Sequence, residues 1–195
     1  CIALCYYRLN RFSETVQMIA EIKSQASRQH PELLRSLAGD TVDFDAQGLI
    51  QKAKDAFVVE AVNLMSALDF DQRHFKEARD VLRELPNRNE DELDPVTLHN
   101  IALVTMEDNP SDSFTKLTFL LNTDPMPPET FRNLLLGYCK YDYYAYAADL
   151  LAENTDLALK TMGQPMLDFL EAYLLCATSK EEAYRKFDEL CKINA

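Results

Sequence analysis

An internal repeat is the feature of this 195-residue chain that most constrains its fold. Its template is two groups of apolar and aromatic residues, each at helical spacing. The first group is Phe131, Leu134, Leu135 and Tyr138, and the second is Ala147 and Leu151. Equivalent sets occur 33 residues earlier and 36 residues later, and partial sets occur nearer the start of the chain. A period of this length is typical of solenoids, in which each repeat is one supersecondary unit that packs on its neighbours.

The spacing within the template matches the tetratricopeptide (TPR) pattern, a helix-turn-helix unit of about 34 residues with markers W-x2-L-G-x2-Y and A-x3-F. Phe131 stands in the Trp position and Leu135 in the position of the small residue. Helix-start signals agree with this register, since Pro95 follows Asp94, a residue that can cap a helix. The sequence therefore predicts an all-α fold, a right-handed superhelical solenoid of TPR repeats. Residues 1–195 are expected to form one domain of about five units, the first of them truncated.

One interval departs from the period. Thr15 and Ala78 occupy equivalent positions in successive units but are 63 residues apart, where 33 to 36 are expected. The excess is assigned to residues 24–48, which contain a break at Pro31 and two glycines. An ordinary long loop and a functional insertion are both compatible with this segment.

Charge and composition exclude several classes of protein. The formal net charge is −12, and residues 90–129 contain nine acidic residues against one basic residue. A nucleic-acid surface needs clustered Lys and Arg, so no nucleic-acid partner is expected, whereas a basic protein partner is compatible. No apolar run approaches the length that crosses a bilayer, so no membrane insertion is expected either. Because the chain starts without Met and inside a predicted helix, it is expected to be part of a longer polypeptide.

Catalytic and metal sites find no support in the sequence. The five cysteines form no CxxC pair, and the three histidines lack nearby ligands at metal spacing. No phosphate-binding glycine loop, GxSxG or HExxH motif is present. Cys139 is expected to be a small residue of a helix face rather than a nucleophile. The chain is therefore predicted to have no enzymatic activity, no cofactor and no metal.

Five tyrosines lie between positions 138 and 146. Tyr138 and Tyr144 occupy template positions that pack the two helices of one unit together. Tyr141, Tyr143 and Tyr146 are less constrained, and they either pack on a neighbouring unit or face solvent. A cluster of phosphorylation sites is the alternative interpretation.

Partner binding is the remaining function, and the repeat pattern predicts where it occurs. The first helix of each unit lines the concave face of such a solenoid, so residues between the packing markers should face a partner. The predicted partner-binding groove comprises Val59, Val62, Val96, His99, Leu103, Met106, Arg132, Leu136, Cys139, Lys140 and Leu175. This mostly apolar surface is expected to be covered, either by another turn of the superhelix or by an extended, apolar or proline-containing segment of a partner.

Longer strings carry a resemblance to a known family. Residues 90–154 strongly resemble the TPR subunit of the intraflagellar transport B complex, the fleer family. Most of the likeness lies in LDPVTLHN (93–100), PPETFRNLLL (127–136) and AADLLAEN (147–154), and it continues through EEAYRKFDEL (181–190).

The resemblance implies a non-catalytic scaffold that supports anterograde ciliary transport and cilium assembly. Members of the family are core subunits of transport trains moved by a ciliary kinesin, and they act in the cilium or flagellum and in the cytoplasm around the basal body. Their repeats enclose an extended segment of the core subunit numbered fifty-two, which the resemblance implies as the main partner, with the kinesin motor as a further one. The alternative from a different class is a reversible cytoplasmic TPR adaptor that recognises short peptide tails through Arg132 and Lys140.

Overall fold

The computed structural model describes residues 2–33, 46–85 and 89–193, and in these ranges it contains helices and turns but no strand. The chain divides into two compact units, unit 1 (Cys1–Asn109) and unit 2 (Pro110–Ala195). The prediction of an all-α fold built from helix-turn-helix repeats is confirmed. That the repeats form a single domain of about five units stays a prediction.

Unit 1 pairs successive helices and stacks the pairs. Its described helices are α1 (Ile2–Arg8), α2 (Phe12–Gln29), α3 (Ala46–Asp55), α4 (Val58–Asp71), α5 (Phe75–Leu82) and α6 (Pro95–Thr105), with a 3-10 turn at Glu90–Glu92. Helix α1 packs on α2 and α4 on α5, while α2 packs on α4 and α6 packs on both α4 and α5. Each pair thus packs on the first helix of the next pair, α1–α2 on α4 and α4–α5 on α6, as the repeat pattern predicts.

Local sequence explains where α6 begins. Asp94 has extended backbone, and its Oδ1 accepts a hydrogen bond from the backbone N–H of Thr97 at 2.9 Å. Pro95 follows in the first turn, where a missing N–H leaves no hydrogen bond unmade. The cap predicted from the sequence is therefore confirmed.

The same turn joins the two helices of three pairs. Asn10 lies in the turn between α1 and α2, and Arg73 lies in the turn between α4 and α5. Asp142 lies in the turn between the second and third helices of unit 2. All three residues have a φ of about +60°. At each turn, the N–H of the next residue donates to the carbonyl five residues earlier, for example from His74 to Asp69 at 2.8 Å. This is the hydrogen-bond pattern of a Schellman helix end, which requires one left-handed residue.

The interval that departs from the repeat period contains additional helix. Residues Ser24 to Gln29 continue α2, and residues 46–48 begin α3, so these parts of the predicted loop are helical. Residues 34–45 of the predicted loop or insertion lie outside the described residues. Leu49 and Ala53 of α3 are buried in the core of unit 1. The repeat pattern did not predict α3, because α3 belongs to no repeat.

Unit 2 has the same organisation. Its described helices are α7 (Pro110–Leu121), α8 (Thr130–Lys140), α9 (Tyr144–Glu153), α10 (Thr155–Met162), α11 (Gln164–Thr178) and α12 (Lys180–Ile193). Helix α8 packs on α7, α9 and α10, and α11 packs on α9, α10 and α12. The template markers Phe131, Leu134 and Leu135 are fully buried, as are Ala147 and Ala183 of the second helices. Helix α10, which the pattern did not predict, follows α9 after a break at Asn154 and ends at Gly163, whose φ is +75°.

Candidate partner-binding surface

Two of the predicted groove residues are in the interior of unit 1. Val59 and Val62 on α4 are buried in one apolar core together with Leu49 and Ala53 from α3. Their assignment to a partner-facing groove is wrong. The physical reason is that α3 supplies apolar side chains to the core that contains these valines, a contribution that the repeat pattern does not contain.

Fewer residues of α6 are exposed than the predicted groove requires. His99 and Met106 are buried, because α6 packs on both α4 and α5, and the assignment of these two residues to the groove is also wrong. Nδ1 of His99 lies 3.4 Å from Oδ1 of Asn100. Val96 is 46% exposed and Leu103 is half-buried. These two residues are seven positions apart on one side of the helix, and they form what is here named the α6 face.

Helix α8 of unit 2 presents a second stripe. Arg132 and Lys140 are exposed and Leu136 is half-buried, and their spacing of four residues places them in one row along the helix. This row is named the α8 face. Leu175 on α11 is half-buried as well. Cys139 is buried, and its assignment to the groove is wrong, because α8 is packed on α7, α9 and α10; this burial raises the pKa of the Cys139 thiol.

A buried polar network next to the α6 face was not predicted from the sequence. Nδ2 of Asn63 on α4 donates to Oγ1 of Thr97 at 2.8 Å, and Nδ2 of Asn100 donates to the backbone oxygen of Asn63 at 3.0 Å. The network fixes how α6 sits on α4. The sequence does contain a pattern that could have indicated this network. Asparagine recurs at close to the repeat period, at Asn63, Asn100 and Asn133, with intervals of 37 and 33 residues.

The two template tyrosines of unit 2 pack against other aromatic rings. The ring of Tyr138 lies 4.7 Å from that of Phe114 on α7, measured between centroids. Tyr144 packs on Tyr173 of α11 at 6.0 Å, and its hydroxyl donates to Oδ1 of Asp142 at 2.5 Å. This hydrogen bond raises the pKa of Tyr144 above its ordinary value. The ring of Tyr138 also lies 5.7 Å from that of Tyr146 on α9, the second helix of the same repeat, which confirms the packing role predicted for Tyr138. The ring contact of Tyr144 is with α11 of the next repeat, so its predicted role between the two helices of one repeat stays a prediction.

The described residues contain neither a cluster of metal ligands nor a membrane-spanning helix. Among residues 2–33, 46–85 and 89–193, no three His, Cys, Asp or Glu side chains are grouped so that they could hold a metal ion. Within the same part of the chain, every helix is too short or too polar to cross a membrane.

Stacked helix pairs with half-exposed apolar stripes define a TPR-type binding module. The family model of the intraflagellar transport protein 70 C-terminal domain matches residues 130–195. The chain is 44% identical over 188 residues to intraflagellar transport protein 70A of Danio rerio, an alignment that covers 96% of the chain and 29% of the relative. It is also 44% identical over 189 residues to intraflagellar transport protein 70B of Homo sapiens, covering 97% of the chain and 28% of the relative. The resemblance found in the sequence is confirmed: the chain is similar to a segment of intraflagellar transport protein 70.

The chain spans less than a third of the length of these relatives. Intraflagellar transport protein 70A of Xenopus tropicalis shows the same relation, with 43% identity over 97% of the chain and 29% of the relative. The alignments with these relatives cover 96% or 97% of the chain, whereas the family model covers the α8 face but not the α6 face.

Proposed function

We propose that the chain is part of a non-catalytic scaffold subunit of the intraflagellar transport B complex, which supports anterograde transport and cilium assembly. The observation that carries this proposal is the 44% identity to intraflagellar transport protein 70A over 96% of the chain. The proposed location is the cilium or flagellum and the cytoplasm around the basal body. The ciliary kinesin motor is a proposed further partner.

The mode of action proposed is the binding of an extended segment of another core subunit, with the one numbered fifty-two as the first candidate. The α6 face and the α8 face are the surfaces proposed to contact this segment. Val96 is 46% exposed, and Leu103 and Leu136 keep part of their surface open to solvent. Apolar side chains that recur on equivalent faces of a binding module favour a partner that covers them.

A second candidate function is the reversible adaptor. It is favoured by Arg132 and Lys140, the two exposed cations that flank Leu136 in the α8 face. In this case the partner would be an acidic peptide tail held by charge, and the affinity would fall as salt screens the interaction.

Charge-neutralising and apolar-to-charged variants distinguish the two functions. The full-length protein is co-expressed with the tagged candidate subunit, and the dissociation constant of the purified pair is measured for each variant. For the scaffold, Leu103→Glu and Leu136→Glu weaken binding by about tenfold or more, because a carboxylate is placed in an apolar contact. Arg132→Gln and Lys140→Gln stay within about threefold of wild type, as expected of rim charges.

Leu159→Glu is the matched control, since Leu159 is exposed on α10 and belongs to neither face. It should leave the dissociation constant unchanged. The opposite pattern, with large losses for Arg132→Gln and Lys140→Gln and none for the leucine variants, would contradict the scaffold and support the adaptor.

A further inference from the structure

Unit 2 contains an open depression of about 340 Å³ whose wall is mainly aromatic. Its volume is at the lower end of the range of small-molecule sites, about 300 to 1,000 Å³, and suits one or two side chains. Helices α7 and α8 and the start of α9 supply the lining, which includes Phe114, Thr115, Thr118, Tyr138, Tyr143 and Tyr146. None of these residues belongs to the α8 face.

The rings form one connected cluster around Tyr138. The Tyr138 centroid lies 4.7 Å from that of Phe114, 5.7 Å from that of Tyr146 and 6.3 Å from that of Tyr143. Tyr143 is 41% exposed and Tyr146 is 61% exposed, so both keep much of their aromatic surface open to solvent. The hydroxyl of Tyr138 lies 3.5 Å from Oγ1 of Thr118, which adds oxygen acceptors to the wall.

The electrostatic surroundings favour a cation. Among the residues that the structure describes, no charged side chain lines the depression. Residues 110–153, which form the three helices around it, contain six acidic residues and three basic ones. Lys116 and Asp112 form an ion pair, which leaves five acidic residues and two basic ones in this range. An excess of negative charge raises the local concentration of cationic ligands.

The aromatic cluster already holds a cation of the chain itself. Nζ of Lys140 lies 5.2 Å from the ring centroid of Tyr141. Tyr141 is in edge contact with Phe114 of the lining, with 6.0 Å between the centroids. A cation over an aromatic face within about 6 Å is attracted by the ring quadrupole. The rings of Tyr143 and Tyr146 offer the same kind of surface to a cation from outside.

We propose that this depression binds an arginine side chain of a basic, extended segment of a partner protein. The planar guanidinium stacks on aromatic faces, and its N–H groups can donate to the hydroxyl oxygens of the wall. The lining shares no residue with the α8 face, although Lys140 of that face lies over Tyr141 beside the lining. A complex could therefore hold its core partner and capture a second, arginine-bearing partner at the same time. It therefore goes beyond the scaffold function and can fail independently of it.

The test measures binding of a defined peptide to the full-length protein purified with its candidate core subunit. The probe is fluorescein-labelled Gly-Gly-Arg-Gly-Gly amide, followed by fluorescence anisotropy. A peptide with citrulline in place of arginine has nearly the same shape without the charge, and a hexaproline peptide tests the competing apolar occupant. The arginine peptide should bind about tenfold more tightly than either comparison peptide.

Substitutions of the lining tyrosines test whether the arginine peptide binds in the depression. Tyr146→Leu keeps an apolar side chain but removes the ring, and it should weaken binding of the arginine peptide about tenfold, whereas Tyr146→Phe stays within about threefold. Tyr184→Leu is the control, because Tyr184 is 75% exposed on α12 and outside the depression. Tyr143→Leu is a second variant of the site, for use if Tyr146→Leu changes the circular dichroism spectrum.

Three results would overturn the proposal. They are equal binding of the citrulline peptide, equal or tighter binding of hexaproline, and equal losses in Tyr146→Leu and Tyr184→Leu. Co-purification of the core subunit is recorded for every variant, and it should be unaffected by Tyr146→Leu. Loss of the core subunit from wild type would instead contradict the scaffold function, so the two failures are distinguishable.

Discussion

Asn63 on α4 donates a hydrogen bond from Nδ2 to Oγ1 of Thr97 on α6, with 2.8 Å between the two atoms. Both side chains are buried, and Oγ1 of Thr97 donates in turn to Oδ2 of Asp94 at 2.5 Å. These hydrogen bonds therefore connect α4 and α6, the first helices of two successive repeats in unit 1. They also include Asp94, the residue that caps α6. They set the rotation of α6, and hence the direction in which Val96 and Leu103 point.

Replacing Asn63 by leucine should lower the free energy of unfolding by about 1 to 3 kcal/mol, because Thr97 and Asn100 each lose a partner in a buried setting. Urea denaturation followed by circular dichroism measures the change. Asn122→Leu is the control. Asn122 directly follows α7 and is exposed, and the described hydrogen bond of its side chain is to the backbone oxygen of Thr118 in that helix. The control should stay within about 0.5 kcal/mol of wild type, and equal losses in both variants would argue against a special role for the network.

Two phenylalanines of unit 2 give a sharp comparison of core and surface. Phe131 is fully buried on α8, whereas Phe119 is 62% exposed on α7. Phe131→Ala should lower the free energy of unfolding by about 3 to 5 kcal/mol, through lost burial and the cavity left behind. Phe119→Ala should change it by less than about 1 kcal/mol under the same urea protocol. A small effect of Phe131→Ala would mean that the TPR marker position does not form the core.

The left-handed turn residues predict a substitution that stabilises the chain. Arg73 is exposed and has a φ of +64°, which a residue with a Cβ adopts at a cost. Arg73→Gly should raise the urea midpoint by an amount equivalent to about 0.5 to 1 kcal/mol. Arg83→Gly, at a right-handed helix end with a φ of −72°, should lower it by a similar amount. Lower stability of Arg73→Gly would contradict the turn geometry.

The ion pair between Glu32 and Lys52 predicts a pH dependence in unit 1. Nζ of Lys52 lies 2.8 Å from Oε1 of Glu32, and this hydrogen bond lowers the pKa of Glu32 to about 2. Because the folded-state pKa is depressed, the pair contributes its full stability above the ordinary pKa of 4.5, which the unfolded chain has, and loses that contribution as the pH falls toward about 2. In Lys52→Gln, the pKa of Glu32 should return toward its ordinary value, which carbon NMR of the carboxyl group measures directly.

Lys54→Gln serves as the control for this titration. Lys54 is exposed on the same helix two residues further along the chain, and it is not among the groups that lower the pKa of Glu32. The pKa of Glu32 should stay near 2 in this variant. A Glu32 pKa near 4.5 in the unaltered chain would show that the pair does not form in solution.

The repeat period predicted the helices that belong to repeats, because every marker reports a packing position that recurs. Phe131 and Ala147 were placed in the core from their spacing alone, and both are buried. The period could not predict α3 or α10, since neither recurs. The capped start of α6 was also predictable, because Asp94 and Pro95 act through neighbouring backbone groups.

The surface was only partly predictable for a related reason. Val62 and Val96 both lie in first helices of repeats and have the same side chain, yet Val62 is buried and Val96 is 46% exposed. Helical spacing identifies which residues share a face, but it does not say what lies opposite that face. Val62 shares its core with side chains from outside the repeat pattern, such as Leu49 of α3, so a pattern based on repeats assigned it to the solvent side.

The central claim is that an apolar segment of a core partner occupies the α6 and α8 faces. Its most direct test is size-exclusion chromatography of the full-length protein co-expressed with the subunit numbered fifty-two, in about 1 M salt, where charges are screened beyond about 3 Å. The account predicts that the two chains elute together at this salt concentration as at low salt. Separation into two stable, dispersed proteins would contradict it and would indicate a reversible contact held by charge.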